Sequence, residues 1–199
     1  MKISSFFTFI LMISMIFSLS SGQSPVLDTD QMPLVTGPSY YILPAISGRG
    51  GGVKLSPTTL NQTCPLDVSQ ENNEQRNGLP LNFLLAVPNR GGVIRSSSDL
   101  NIKFSNATTC GKPAVWRVES VNGQRVVSSR GILGNPGGGT ISNWFKIEKY
   151  ENDYKIVFCP TVCNTCRPAC GDVGHTIAKN GRISLLLSNE PLKVKFKKA

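Results

Sequence analysis

The sequence predicts an all-β domain that is held together by disulfide bonds. Short segments rich in β-branched and aromatic residues recur at spacings of about ten residues, with Gly, Pro and Asn turns between them. No segment has the periodicity of a convincing amphipathic helix. All six cysteines lie downstream of an apolar N-terminal segment, and an even number of cysteines in an exported chain implies disulfides. This combination indicates a β-barrel or a β-sandwich.

The first residues have the composition of a secretory signal peptide. Lys2 supplies a positive charge, residues 3–19 are almost wholly apolar or hydroxylic, and small residues follow up to Gly22. That order is typical of a signal peptide, whereas a membrane anchor needs a span of ~20 apolar residues, for which this stretch is marginal. We therefore expect residues 1–23 to be removed on export. Residues 24–199 are then expected to form one domain, with no membrane segment in the mature protein.

The predicted strands follow one another along the mature chain, and most of them alternate between apolar and polar residues. They cover residues 40–43, 53–55, 100–104, 115–118, 126–127, 144–150, 154–158, 175–178, 183–187 and 193–198. Asn122-Gly123 and Asn180-Gly181 are hairpin-type turns, and residues 151–153 join the two strands of the clearest hairpin. Each third of the chain carries a glycine-bearing turn and an aromatic-rich hairpin, which hints at threefold internal symmetry.

The cysteines comprise one cluster and two isolated residues, Cys64 and Cys110. The cluster consists of Cys159, Cys163, Cys166 and Cys170. Its spacing also permits a zinc site, but zinc would need thiolates or a nearby histidine, and His175 is the only histidine in the chain. Nested disulfides are therefore favoured in an oxidising compartment, and spacing alone leaves their pairing open. No metal and no other cofactor is expected.

Two Asn-x-Thr sequons lie close to the isolated cysteines. Asn61 begins the first sequon and Asn106 begins the second. Such sequons accept N-glycans on the surface loops of exported proteins, so both asparagines are candidate glycosylation sites.

The chain is basic, with 21 Lys and Arg against 12 Asp and Glu and a formal net charge of +9. The basic residues are scattered, except for a concentration in the C-terminal segment from Lys193 to Lys198, where the lysines of the last predicted strand face solvent. Nucleic-acid binding normally also needs base-stacking aromatic residues interleaved with the basic ones, and the sequence has no such stripe. We therefore expect no nucleic-acid partner and interpret the net charge as a contribution to solubility.

The sequence carries few candidates for catalysis. A Ser–His–Asp or Cys–His arrangement would have to use His175, which falls in a predicted strand and is interpreted as a solvent-side residue. The cysteines are assigned to disulfides rather than to nucleophilic roles. The glycine runs at 50–52 and 137–139 lack the Gly-Lys-Ser/Thr of a phosphate-binding loop. The protein is therefore not expected to be an enzyme.

Several motifs together resemble the plant Kunitz family typified by soybean trypsin inhibitor, and especially its miraculin-like branch. They are Val26–Asp30, Tyr40–Pro44, Cys64–Val68, Ser97–Ile102, Trp144–Ile147, Tyr154–Cys163 and Cys170–Gly174. The resemblance covers nearly the whole mature chain and implies a β-trefoil of about twelve strands with threefold pseudo-symmetry. It also implies a secreted, apoplastic protein, with the vacuole as the alternative destination. The disulfide pairs that it implies are Cys64 with Cys110, Cys159 with Cys170, and Cys163 with Cys166.

The resemblance further implies a protease-binding loop made of Val87, Pro88, Asn89, Arg90, Gly91 and Gly92. Arg90 occupies the family's P1 position, the residue that enters the S1 pocket of the protease. In a trypsin-like enzyme this pocket has an Asp at its base, with which Arg forms a charge-assisted pair. Two departures weaken the expected inhibition. Thr36 stands where the family has an Asn whose side chain braces the loop, and Gly91 and Gly92 give the backbone more freedom to lose on binding.

The expected function is inhibition of a secreted, trypsin-like serine endopeptidase by a glycosylated monomer, with plant defence as its setting. Two alternatives remain open. In the first alternative, the protein is a miraculin-like binding or defence protein without inhibitory activity. In the second, it inhibits cysteine proteases through another loop. A panel of proteases separates these possibilities.

Overall fold

The structure is a computed structural model, and it describes residues 23–57, 64 and 66–199, without the side chains of residues 108 and 109. Apart from residue 23, the expected signal peptide lies outside the described residues, as does the sequon at Asn61. Within the part of the chain that the structure describes, no helix is long and apolar enough to cross a membrane.

Thirteen strands form in the described residues, and the pairs between them are antiparallel. They are β1 Tyr40–Pro44, β2 Val53–Pro57, β3 Leu66–Gln70, β4 Leu81–Leu85, β5 Leu100–Thr109, β6 Lys112–Val115, β7 Arg117–Val121, β8 Gln124–Ser128, β9 Lys146–Tyr150, β10 Asp153–Phe158, β11 Gly171–Ile177, β12 Ile183–Ser188 and β13 Val194–Lys198. Two short 3-10 segments, Arg90–Gly92 and Gly138–Asn143, lie in the connections from β4 to β5 and from β8 to β9.

Six of these strands close a barrel. β1 lies between β13 and β4, β4 pairs with β5, and β9 pairs with β10. A bridge between Leu100 and Phe145 joins the start of β5 to the residue just before β9. The ring closes where Tyr154 of β10 lies opposite Val194 of β13. Closure leaves these six strands without a free edge.

Three hairpins cover one end of this barrel. They are β2–β3, β7–β8 and β11–β12, and each contacts the other two. The contacts between hairpins run from Asp67 to Ser128, from Val126 to Leu186 and from Gln70 to Ile183. A barrel of six strands capped by three mutually paired hairpins is the β-trefoil, so the predicted fold class is confirmed.

The threefold repeat is visible in the strand order. β1 to β4, β5 to β9 and β10 to β13 each supply two barrel strands and one hairpin. The second repeat has an additional strand because the chain changes partner at Trp116: β6 pairs with barrel strand β5, whereas β7 pairs with β8 in the cap. Trp116 is fully buried, and its main-chain N–H donates to Ile102 O at 2.8 Å. The predicted strand at residues 115–118 is therefore interrupted.

Aromatic side chains join the repeats inside the barrel. Phe83 of the first repeat and Phe196 of the third pack edge to face, with ring centroids 5.6 Å apart. Phe145 and Phe158 make the equivalent contact between the second and third repeats at 5.8 Å. All four side chains are buried, and each such pair contributes about 0.5–1.5 kcal/mol beyond its area burial. The exposed loops are thus carried by a tightly packed scaffold.

Every cysteine takes part in a disulfide. Cys64 is bonded to Cys110, Cys159 to Cys170, and Cys163 to Cys166, which are the pairs that the family resemblance implies. The zinc alternative for the cluster is therefore excluded, since no cysteine is free.

Candidate functional site

The connection from β4 to β5 forms a loop whose two ends are hydrogen-bonded to each other at its base. β4 and β5 stay in register up to Leu85 opposite Leu100, and the N–H of Ala86 donates to Asp99 O at 2.9 Å. The Asp99 carboxylate in turn accepts bonds from the main-chain N–H and the hydroxyl of Thr161, at 3.1 and 2.5 Å. The loop therefore leaves the barrel from two strands that are fixed to each other and to the connection after β10.

The tip of this loop carries the residues that the resemblance predicts. Val87 is 79% exposed, and Pro88, Asn89, Arg90 and Gly91 are also exposed. Within the described part of the chain, the Arg90 guanidinium makes no hydrogen bond or ion pair. A cation in this position is available to an acidic group on another molecule.

The backbone at the tip forms a tight turn. Gly92 N–H donates to Asn89 O at 3.1 Å, and Gly91 and Gly92 have φ values of 80° and 64°. These left-handed conformations favour glycine. The Asn89 side chain spans the turn, since its Nδ2 donates to Val93 O at 2.8 Å. Asn89 is thus an internal brace of the loop, a role that its sequence context does not indicate.

The return half of the loop is paired with the N-terminal segment. Val93 forms a β-bridge with Val35, and Ile94 N–H donates to Leu34 O at 2.8 Å. Thr36 contacts the loop through its main-chain N–H, which donates to Gly92 O at 2.8 Å. The Thr36 side chain packs against Gly92, where an added Cβ would lie 2.2 Å from Thr36 Oγ1.

A recess of about 530 Å³ lies between the loop, β4 and the N-terminal segment. Its lining includes Thr36, Gly92, Asn82, Leu84, Pro88, Asn89 and Lys103. The outgoing half of the loop therefore lacks the backbone pairing that the return half has with the N-terminal segment. Contacts around Gly92 and Thr36 carry a large share of the support for the tip.

His175 lies away from this loop, in the cap hairpin, where it is paired with Leu185 across β11 and β12. Its side chain is half-buried rather than fully on the solvent side. Burial lowers the pKa of His175 below its ordinary value, and the charge of Arg49 lowers it further, while Glu190 acts in the opposite direction. Loss of solvation and a neighbouring cation both disfavour the protonated imidazole.

The second sequon lies on the surface of the barrel. Asn106 is exposed on β5, four residues before Cys110 in the chain. The described residues also contain no group of three or more His, Cys, Asp or Glu side chains arranged to hold a metal ion.

Comparison with known proteins adds the family context. Residues 26–198 match the family described as Kunitz_legume: Trypsin and protease inhibitor. Kunitz trypsin inhibitor 5 of Arabidopsis thaliana is 44% identical over 178 residues, covering 88% of this chain and 86% of the relative. Miraculin of Synsepalum dulcificum is 44% identical over 187 residues, covering 89% and 84%. The solved complex of porcine pancreatic trypsin with soybean trypsin inhibitor matches with a TM-score of 0.70 and 33% identity, covering 88% of this chain and 99% of that chain.

Proposed function

The chain belongs to the Kunitz family of trypsin and protease inhibitors, and from that premise we propose that it inhibits trypsin-like serine endopeptidases through Arg90. It acts as a secreted monomer after loss of residues 1–23, with N-glycans at Asn61 and Asn106 and with plant defence as its setting. In this proposal Arg90 enters the S1 pocket, and the chain binds an enzyme rather than acting as one.

One observation carries this proposal: Arg90 is exposed and unpaired on a loop whose two ends are hydrogen-bonded at its base. An arginine that has no partner of its own loses no intramolecular bond when it pairs with the Asp of a trypsin-like S1 pocket. The bond between Ala86 and Asp99 and the bridge between Val35 and Val93 hold both ends of the loop. Binding therefore orders only the tip, which limits the entropy lost on association.

The turn at Gly91 and Gly92 determines how the tip meets the protease. We expect the bond from Gly92 N–H to Asn89 O to open as the tip extends into the cleft, because an extended segment can form main-chain hydrogen bonds with a neighbouring edge. Glycine allows this rearrangement with little backbone strain, but it loses more conformational entropy than other residues when the bound tip becomes ordered. We therefore expect weaker inhibition than from a loop that is already extended in the free protein.

Titration of trypsin with the purified, oxidised protein tests the proposal. We expect Arg90→Ala to raise the inhibition constant by at least about 30-fold, as for a hot-spot residue, and Arg90→Lys to retain most of the activity. Arg95→Ala is the matched control, because Arg95 is an exposed arginine of the same loop whose Nη1 donates to Gln23 O at 2.9 Å.

Equal inhibition by the wild type and by Arg90→Ala would remove Arg90 from the P1 role. If papain-type enzymes are inhibited and trypsin is not, a cysteine protease target that is bound through another loop would be favoured. If no protease of the panel is inhibited, the protein is a miraculin-like binding protein. Mass spectrometry of the secreted protein would test cleavage after residue 23 and the glycans at Asn61 and Asn106.

A further inference from the structure

The connection from β8 to β9 presents a second segment, residues 131–136, of which residues 132–136 are exposed. Ile132 is 54% exposed and Leu133 is 43% exposed, so two neighbouring large apolar side chains are open to solvent here. The backbone runs through residues 131–135 without a turn or bend, and none of these residues has φ in the left-handed region. This segment therefore differs from the Arg90 loop, whose tip is folded into a turn.

A buried asparagine holds the first half of this segment. Asn143 is only 3% exposed, and its Nδ2 donates to the main-chain O of Ile132 at 2.9 Å. The main-chain O of Asn143 accepts a bond of 2.7 Å from Nδ2 of Asn101, which is itself buried on β5. Asn143 is thus bonded to a buried residue of barrel strand β5, which determines its position.

A threonine holds the second half. Thr140 Oγ1 donates to the main-chain O of Asn135 at 2.8 Å, and Nε1 of the buried Trp144 donates to Thr140 Oγ1 at 3.1 Å. Leu133 and Gly134 therefore lie between two carbonyl groups, those of Ile132 and Asn135, that are each bonded to a side chain of the same 3-10 segment. A disulfide supports that segment, since an added Cβ at Gly138 would lie 3.4 Å from Cys166 Sγ.

The start of the segment is fixed as well. Gly131 N–H donates to Val115 O at 2.8 Å. The preceding residue, Arg130, donates from Nε to the Glu119 carboxylate at 2.7 Å. Both ends and the middle are thus held before any partner arrives, so little backbone entropy remains to be lost on binding.

We propose that residues 131–136 are a second protease-binding loop, which presents Leu133 as P1 to serine endopeptidases with an apolar S1 pocket. An apolar slot of the chymotrypsin type accepts a large apolar side chain. Leu133 suits this role better than Ile132, because branching at Cβ makes isoleucine stiff and wide next to the backbone. The inference rests on the proposed inhibitory function of the chain but not on Arg90, which serves a different class of protease.

Chymotrypsin is the probe that tests this second loop. We expect the oxidised protein to inhibit chymotrypsin and Leu133→Ala to raise the inhibition constant by at least about 30-fold. Ile46→Ala is the matched control, because Ile46 is 50% exposed and lies in the connection from β1 to β2, outside both loops, and it should leave chymotrypsin inhibition unchanged. Near-UV circular dichroism checks that each variant is folded.

A transfer of specificity gives an independent readout. In an Arg90→Ala background, Leu133→Arg should create trypsin inhibition that Arg90→Ala alone lacks. The proposal is overturned if chymotrypsin is not inhibited, if Leu133→Ala inhibits as well as the wild type, or if the double variant has no more effect on trypsin than Arg90→Ala. Chymotrypsin inhibition that depends on Leu133 would stand even if the wild type fails to inhibit trypsin, so the failures of the two proposals are distinguishable.

Discussion

Thr36 and Gly92 lie so close together that a Cβ atom at position 92 would fall 2.2 Å from Thr36 Oγ1. The main chains are also bonded, since Thr36 N–H donates to Gly92 O at 2.8 Å. Gly92 has a φ of 64°, a conformation that disfavours residues with a side chain. Position 92 therefore requires glycine for two reasons. Its backbone conformation disfavours a side chain, and Thr36 occupies the space that a Cβ would need.

Gly92→Ala is expected to destabilise the protein more than Gly91→Ala does. Both variants place a side chain at positive φ, which costs about 1 kcal/mol. Only at Gly92 does the new Cβ also clash, because a Cβ at Gly91 would have Val93 Cγ2, at 3.9 Å, as its nearest neighbour. Overpacking of this kind costs about 1–3 kcal/mol more. Urea unfolding of the two variants measures the difference, and equal destabilisation would contradict it.

Removing the Thr36 hydroxyl should relieve the clash. We expect the double variant Gly92→Ala with Thr36→Ala to recover about 1 kcal/mol relative to the sum of the two single variants, because residues in contact couple by this order. The same substitutions in trypsin titrations report whether the contact also supports inhibition. Strict additivity would show that the two side chains do not meet.

The two asparagine braces are expected to act on different proteases. Loss of the Asn143 side chain frees the Ile132 carbonyl, so Asn143→Ala should weaken chymotrypsin inhibition and allow cleavage between Leu133 and Gly134. Loss of the Asn89 side chain frees the Val93 carbonyl, so Asn89→Ala should affect trypsin inhibition alone. Inhibition constants and mass spectrometry of the cleaved chain measure both effects. If either variant changes inhibition of both enzymes equally, the brace acts only through overall stability.

His175 is expected to make the fold less stable at mildly acidic pH. Burial and Arg49 lower its pKa below the ordinary value of 6.5, so the unfolded chain binds the proton more tightly than the folded one. The stabilising contribution is present above pH 6.5 and is lost as the pH falls from 6.5 through the folded-state pKa. Urea unfolding at pH 7.5 and 5.5 should show a larger loss of stability for the wild type than for His175→Gln. Equal losses would exclude His175 as the cause.

The disulfides should contribute to stability according to the length of chain they close. Cys64 and Cys110 are separated by 46 positions, whereas Cys163 and Cys166 are separated by 3. On the chain-entropy account, their replacement by serine costs about 4 and about 1.5 kcal/mol respectively. Thermal or urea unfolding of the two double variants measures this order. An equal or reversed order would show that native-state contacts outweigh the chain entropy.

Local sequence pattern predicts the strands that bury one face in the core and expose the other face to solvent. The predicted strands at residues 100–104, 154–158 and 183–187 fall within β5, β10 and β12, since alternating residues fill the core on one side and face solvent on the other. Lys195, Lys197 and Lys198 on β13 are exposed, as expected for the last strand. Lys193 differs, since it precedes β13 and its ammonium pairs with Glu151 and Asp153.

Sequence pattern does not predict β3, because tertiary contacts override the local pattern of this strand. In β3, Ser69 and Gln70 are fully buried. They are tolerated there because Ser69 Oγ bonds Ser56 Oγ at 2.6 Å and Gln70 Nε2 donates to Gly51 O at 3.1 Å. Partners so distant in the chain cannot be read from a window of neighbouring residues. The roles of Asn89 and Asn143 are hidden for a different reason. Their bonds to Val93 and Ile132 are local, but an asparagine side chain has no apolar periodicity to mark it.

The sequence by itself determined the fold class, the family and the position of Arg90 in a loop, because alternation, turn residues and motifs are local properties of the chain. The cysteines were recognised as disulfides from their number and from the expected export. Only the tertiary structure decided how each exposed loop is held: Thr36 against Gly92 in one, and Asn143 beneath Ile132 in the other. Thr36 and Gly92 are far apart in sequence, and Asn143 is held by Asn101, which is 42 positions away. These contacts therefore exist only once the barrel has closed.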